Sequence, residues 1–289
     1  GREDGLAGTT AHHYYGIVHA FCQYLADRGT IDVNIAKNEL ALGSLPDESL
    51  GVDPDNEQQH WSPETREHIV RWADWRAESA ADEGWMDPAT AYRDRAFVAL
   101  LGYTGVRIAE VLADPSNERR NGLRWSRVDL DEREMTVLGK SQEFEDVPLL
   151  EGSPTRLQAH KRRQHPGDDS WPVFVTGHLP TLYSGLPDDV DASPETVLDL
   201  YREHELTPPA LSTNGGRTIV ERLSLESGIR EEGEILKPHG ARRGLGTELY
   251  RGSAEVSQSV LRHKSIETTH RSYNEDDTAH TRTAAEAIL

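Results

Sequence analysis

P-H-G-A-R-R at 238–243 and L-R-H-K-S-I-E-T-T at 261–269, with Tyr273 four residues further on, decide how this chain is read. Pro238 suits the first position of a helix, and His239 and Arg242, three apart, then share a face. His263 follows the expected end of the next helix, and a further helix over 266–273 carries Tyr273. Two upstream strings belong with these: T-G-V-R-I-A-E at 104–110 and G-K at 139–140. In T-G-V-R a glycine break lets a helix begin, and Arg107 stands at its start with Glu110 one turn later to hold it. An arginine fork can take two phosphate oxygens at once. An imidazole can handle a proton, and a lysine can give one up. A free phenol titrates near 10, so only about one in a thousand is ionised at neutral pH. For Tyr273 to act as a nucleophile, its proton must be taken or its anion stabilised by cations. Two arginines, two histidines and a lysine are the groups for that.

In this order from Thr104 to Tyr273, the five strings resemble those of the tyrosine recombinase (phage-integrase) family, in its Xer-like form. The resemblance implies a nucleophile, Tyr273, and two catalytic arginines, Arg107 and Arg242. His239 and His263 would assist hydrogen bonding and proton transfer, and Lys140 would be the general acid for the departing 5′-oxygen. Glu110 would support Arg107, and Arg243, Arg262 and Lys264 would contact DNA. It further implies a 3′-phosphotyrosyl link to double-stranded DNA and a tetramer of protomers on two duplexes. Because the bond energy stays in the ester, no cofactor, metal or ATP is called for. The chain departs from the family in three places. Arg243 stands where histidine is frequent, and Arg262 where glycine is more usual. After G-K the family often continues with a second glycine and a basic residue, whereas this chain reads S-Q-E-F-E-D at 141–146. Two other readings compete: a type IB topoisomerase using a similar residue set, and a DNA-binding regulator that has lost catalysis. The short N-terminal part and the T-G-V-R-I-A-E and H-G-A-R strings favour the recombinase over the first. Retention of all six chemical groups speaks against the second.

Composition opposes a DNA partner until it is resolved along the chain. The 289 residues carry a formal charge of −19, from 50 acidic and 31 basic residues, where a nucleic-acid binder is expected to be basic. Only five of the basic residues are lysines. Acid-rich, lysine-poor surfaces suit a salt-saturated cytoplasm, where the Debye length falls to about 3 Å at 1 M, and they predict a halophilic archaeal source. Between Leu236 and Tyr273 seven basic residues face three acidic ones, a net of +4, which leaves −23 for the rest. An acidic body with one basic pocket keeps positive charge where phosphate must sit.

The expected fold class is α+β and mainly helical. The resemblance implies a small helical N-terminal DNA-binding domain over about 1–48 and, after a linker at 49–60, a mixed α/β catalytic domain with a small antiparallel sheet over 61–289. Tyr14, Val18, Phe21 and Leu25 recur at helical steps over 9–28, and Gly29 can end that helix. Since residue 1 is Gly rather than Met, the natural N-terminus is expected upstream. Ser62-Pro63-Glu64 and Asp87-Pro88 open helices, the first carrying Ile69, Val70, Trp72 and Trp75, the second an apolar core run at 97–101. After Trp125 the period changes to two, through Met135, Val137 and Val147, with Lys140 in a hairpin turn. Residues 151–210 carry no assigned chemistry, and the basic run at 160–163 reads as a DNA-facing or solvated helix face. Tyr250 reads as core. The tail, 274–289, begins with acidic N-E-D-D and then reads as a short Ala-rich helix from about Thr281; the resemblance implies that its Ile288 and Leu289 dock on a neighbouring protomer. The single cysteine, Cys22, excludes an internal disulfide, and no run is long and apolar enough for a membrane span. His12, His13, His160, His165 and His178 show no repeated ligand spacing for a metal. A cytoplasmic, nucleoid-associated location is expected.

Overall fold

The computed structural model describes residues 8–47 and 58–273. The expected linker falls mostly outside them, as does the tail from 274. The chain divides into two compact units, Gly1–Gln58 and Gln59–Leu289.

In the first unit, α1 (Gly8–Asp27) ends at Gly29, whose φ of 69° lets the chain reverse, and a short α2 (Glu39–Gly43) follows. The face expected as core points the other way. Tyr14, Val18 and Phe21 are each more than half exposed, while Cys22 is buried. The cause is Asn34. Its amide donates to the His19 carbonyl at 3.1 Å and to Gln23 at 3.2 Å, and its oxygen accepts from Ala36 N–H. These bonds draw the segment after the turn onto the side of α1 that carries Tyr15, His19 and Cys22. Tyr15 completes the contact by donating to the Ala36 carbonyl.

The second unit is built on α3 (Pro63–Glu83) and α4 (Pro88–Thr104), capped by the side chains of Ser62 and Asp87 respectively. Residues 97–101 are fully buried, and Ile69 and Val70 face them. Trp75 does not join this face and is 58% exposed. After α5 (Ile108–Val111) come three antiparallel strands in the order β1-β2-β3: β1 (Val128–Asp129), β2 (Glu134–Leu138) and β3 (Phe144–Pro148), with Met135 opposite Val147. Lys140 lies in the β2–β3 turn, as the period-two pattern predicts. The remaining helices are α6 (Pro154–Gln164), α7 (Leu179–Tyr183), α8 (Val197–Glu203), α9 (Thr213–Ser227), α10 (Pro238–Gly252), α11 (Ala254–Leu261) and α12 (Ile266–Tyr273).

The packing of α3, α4 and α9 is fixed by one buried carboxylate. Asp94, on α4, has no exposed surface. It accepts from Arg93 at 2.9 Å, from Arg76 of α3 at 3.3 Å, and from Arg222 of α9. Removing one partner of a buried charge group typically costs about 3–5 kcal/mol, because the other charge is left uncompensated. Asp94→Ala is therefore expected to destabilise the second unit by about that much in urea unfolding. A loss below about 1 kcal/mol would show that Arg76, 3% exposed, finds its compensation elsewhere.

His160 belongs to the core and not to a solvated basic face. It is 2% exposed, stacks on Phe174 at 5.9 Å, and its Nε2 meets the Val173 carbonyl at 2.7 Å. A carbonyl can only accept, so Nε2 carries the proton. Burial pushes this imidazole down to about 4 from the ordinary 6.5. The unfolded chain thus binds a proton that the native one excludes, and stability falls as pH drops from about 6.5 to about 4. His160→Gln is expected to remove about 2 kcal/mol of that acid-side loss, measured as the difference between unfolding at pH 7 and at pH 4.5. An unchanged pH dependence would refute the assignment.

Candidate active site

α4 stops at Gly105, where φ is 62°, and the chain turns to place Arg107 at the cap of α5. Glu110, buried on α5, holds Arg107 twice: its carboxylate accepts from the Arg107 backbone N–H and from Nη1, both at 2.9 Å. Arg262 Nη2 reaches the same carboxylate at 2.6 Å. Burial alone pushes the Glu110 carboxyl up, but Arg262 and Arg107 outweigh it and hold the group below its usual range. Glu110 is thus a fixed negative charge between two guanidiniums.

Arg242, on α10, is 3% exposed. Its guanidinium donates to the carbonyls of Gly105 and Leu261, so it ties the end of α4 to the end of α11. Burial first, then the nearby Arg107, lower its pKa to about 10, which still leaves it charged at neutral pH. One turn back on α10, His239 is lowered to about 4 by burial and by Arg243, Arg242 and Arg107. His263, whose Nδ1 lies 3.0 Å from Thr269 Oγ1, is also lowered to about 4, by burial and then Arg242 and Arg107. Both imidazoles are neutral at pH 7, and burial beside the guanidiniums disfavours their protonation.

Tyr273 ends α12 with its ring stacked on His263, centroids 6.0 Å apart and planes 12° from parallel. It is 5% exposed. Its phenol lies against α10 where Gly246 has no side chain: a Cβ there would stand 2.1 Å from the hydroxyl oxygen. Burial pushes the Tyr273 pKa up, and the charges of Arg242, Arg243 and Arg107 offset only part of that. The phenol is therefore held protonated beside cations that would stabilise its anion.

The structure thus gathers Arg107, His239, Arg242, Arg243, His263 and Tyr273 around one another. It does not gather Lys140, which is exposed at the hairpin tip with no described hydrogen bond or ion pair. Lys264 is likewise exposed. Arg262, expected to meet DNA, is instead turned inward, with its side chain only 10% exposed and held by Glu110. Tyr250 is not core. It is partly exposed, hydrogen-bonded to His270 at 2.6 Å, with its ring centroid 6.0 Å from that of Tyr273. Thr269, Gly246 and His60, which meets Thr247 Oγ1 at 3.2 Å, were also beyond sequence reasoning. Their roles depend on helix-to-helix approach, which no local spacing encodes.

Residues 80–280 match the sequence profile of the phage integrase family, and the chain belongs to that family. Tyrosine recombinase XerC of Mycobacterium bovis (strain BCG / Pasteur 1173P2) is 30% identical over 200 residues, covering 67% of this chain and 52% of that protein. Tyrosine recombinase XerC of Mycobacterium leprae (strain TN) is 29% identical over 196 residues, with the same coverage. The chain therefore spans about half the length of the curated relatives it matches. Among solved structures, the Tn1549 transposon integrase in complex with a circular intermediate DNA superposes with a TM-score of 0.54 at 16% identity, over 99% of this chain and 81% of that one. XerA recombinase superposes with a TM-score of 0.50 at 18% identity, over 91% and 81%. These two likenesses concern the fold, a mainly helical α+β domain with a small antiparallel sheet.

Proposed function

We propose that this chain is a site-specific DNA recombinase that cuts and rejoins double-stranded DNA through Tyr273. The observation that carries the reading is the stacking of Tyr273 on His263 beside Arg242, Arg243 and Arg107. Tyr273 Oη attacks the scissile phosphorus. The new P–Oη bond forms as the bond to the 5′-oxygen breaks, giving a 3′-phosphotyrosyl link and a free 5′-hydroxyl. The phenol proton passes to a neutral imidazole or to solvent, and Lys140 protonates the leaving oxygen. Arg107 and Arg242 bear the charge that grows on the non-bridging oxygens, where preorganised donors have their largest effect. A 5′-hydroxyl from a second strand then reverses the step.

The same reading assigns the N-terminal segment, about 1–48, to gripping DNA and 61–289 to catalysis, with 49–60 as the connection. It places four protomers on two duplexes, in the cytoplasm with the nucleoid and in a high-salt cell. The low lysine count and the net charge of −19 support the last point. No described helix is long and apolar enough to cross a membrane. The test is covalent capture. The DNA crosslinked to the protein in cells identifies its site, and a nicked version of that site in high salt should trap a protein–DNA adduct. Absence of an adduct on any bound site would favour a regulator. Relaxation of supercoils without strand exchange would favour a topoisomerase.

A further inference from the structure

The β2–β3 hairpin that carries Lys140 meets the arginine array through Glu145, a residue the chemistry above does not use. Glu145, on β3, lies across the hairpin's own turn. Its Oε1 accepts from Ser141 Oγ at 2.9 Å, and a Cβ on Gly139 would stand 2.1 Å from that same oxygen. Its Oε2 is 3.6 Å from Arg262 Nη1. Arg262 also holds Glu110, which holds Arg107. Alternating charges thus run from the cap of α5, over the end of α11, into the hairpin.

Arg262 is unusual on two counts. It caps α11 at φ 55°, ψ 47°, a left-handed conformation that glycine adopts more easily than arginine. Its Nε and Nη1 are buried without a hydrogen-bond partner. Buried donors are seldom left unmatched, and an unmatched one asks for an acceptor that arrives in another state. Glu145 Oε2, 3.6 Å from Nη1, stands a few tenths of an ångström beyond hydrogen-bond range. A small movement of the hairpin toward α11 would complete the bond and carry Lys140 with it.

We propose that Glu145 is a positioning residue that latches the β2–β3 hairpin onto Arg262, and that the latch sets where Lys140 stands during strand cleavage. The latch itself is a property of this fold, and only its effect on Lys140 rests on the recombinase chemistry. Two experiments separate the two. In the DNA-free full chain, the Gly139 and Gln142 amides donate to Glu143 and Gly139 carbonyls within the turn. Glu145→Ala and Arg262→Gly should each speed their hydrogen exchange about tenfold or more, while Lys140→Ala leaves it unchanged. Glycine fits the left-handed cap, and Arg262→Gly leaves the Ser141–Glu145 bond in place, so an effect common to both variants isolates the ion pair. Unchanged exchange in both overturns the latch, whether or not the protein cuts DNA. The second experiment uses a substrate with sulfur at the bridging 5′ position, whose thiolate departs without a proton. Glu145→Ala should slow cleavage of the ordinary phosphodiester by about 10²-fold and of the sulfur substrate by less than about threefold. Equal slowing of both would show that Glu145 does not act through Lys140. If the wild type cuts neither substrate while the exchange result holds, the recombinase reading fails and the latch stands.

Discussion

Tyr273→Phe is expected to abolish the covalent protein–DNA adduct while leaving binding to the same site intact. On a site nicked close to the cleavage point, the short strand released with its 5′-hydroxyl diffuses away, so the phosphotyrosyl link cannot be resealed and accumulates. The wild type should then appear as a labelled species on denaturing gels, and the tryptic peptide bearing the nucleotide should contain residue 273. Phenylalanine removes one oxygen and keeps the ring that stacks on His263, so the fold is undisturbed. Tyr250→Phe is the necessary companion. The Tyr250 ring is 6.0 Å from that of Tyr273, and its hydroxyl is engaged with His270. It should still form the adduct. Adduct retained by Tyr273→Phe and lost by Tyr250→Phe would transfer the nucleophile to α10.

In the resting geometry the proposed nucleophile is not ready to attack. The phenol is buried against Gly246 and protonated, and the cations beside it do not offset the effect of burial. Under the proposed chemistry, a phosphate held between Arg107 and Arg242 would bring the electrophile to Tyr273, and its proton would have to leave in the same step. Gly246 makes the docking possible, since any side chain there would displace the hydroxyl.

Much of the fold is legible in the sequence. Ser62-Pro63, Asp87-Pro88 and Pro238 mark helix starts by local chemistry, and the structure begins helices at each. The sheet and its Lys140 turn follow from a period of two. The failures share a cause. On α1 the apolar stripe was visible, but which side the chain folds back onto is decided by Asn34 and its three hydrogen bonds. Arg262 looked like a cation for DNA because a sequence shows its charge and not its burial between Glu110 and Glu145. Tyr250 read as core from its helix, although its position on that helix leaves it at the rim beside Tyr273. His160 read as part of a basic face, when its helix turns it inward onto Phe174. Periodicity identifies faces. It does not say what each face meets.

Arg107→Ala is expected to slow cleavage by about 10²–10³-fold, the loss typical of one donor aimed at a developing oxyanion, or about 2.7–4 kcal/mol. Of the two arginines it is the cleaner test. Arg242 is 3% exposed and satisfies the carbonyls of Gly105 and Leu261. Removing it leaves two buried acceptors unpaired, at about 1–3 kcal/mol each, so lost activity there would mix chemistry with stability. Arg107 differs because its side chain's one partner among the described residues, Glu110, keeps Arg262 and the Arg107 backbone N–H after the change. The carboxylate is not orphaned, and the melting temperature should move by only a few degrees. Affinity for an uncut site should fall less than about tenfold, and the salt dependence should lose about one phosphate contact. Single-turnover cleavage and binding measured at the same salt separate the two effects. A folded Arg107→Ala protein that binds its site and cuts at the wild-type rate would remove Arg107 from the active site and leave Arg242 without a partner on the phosphate.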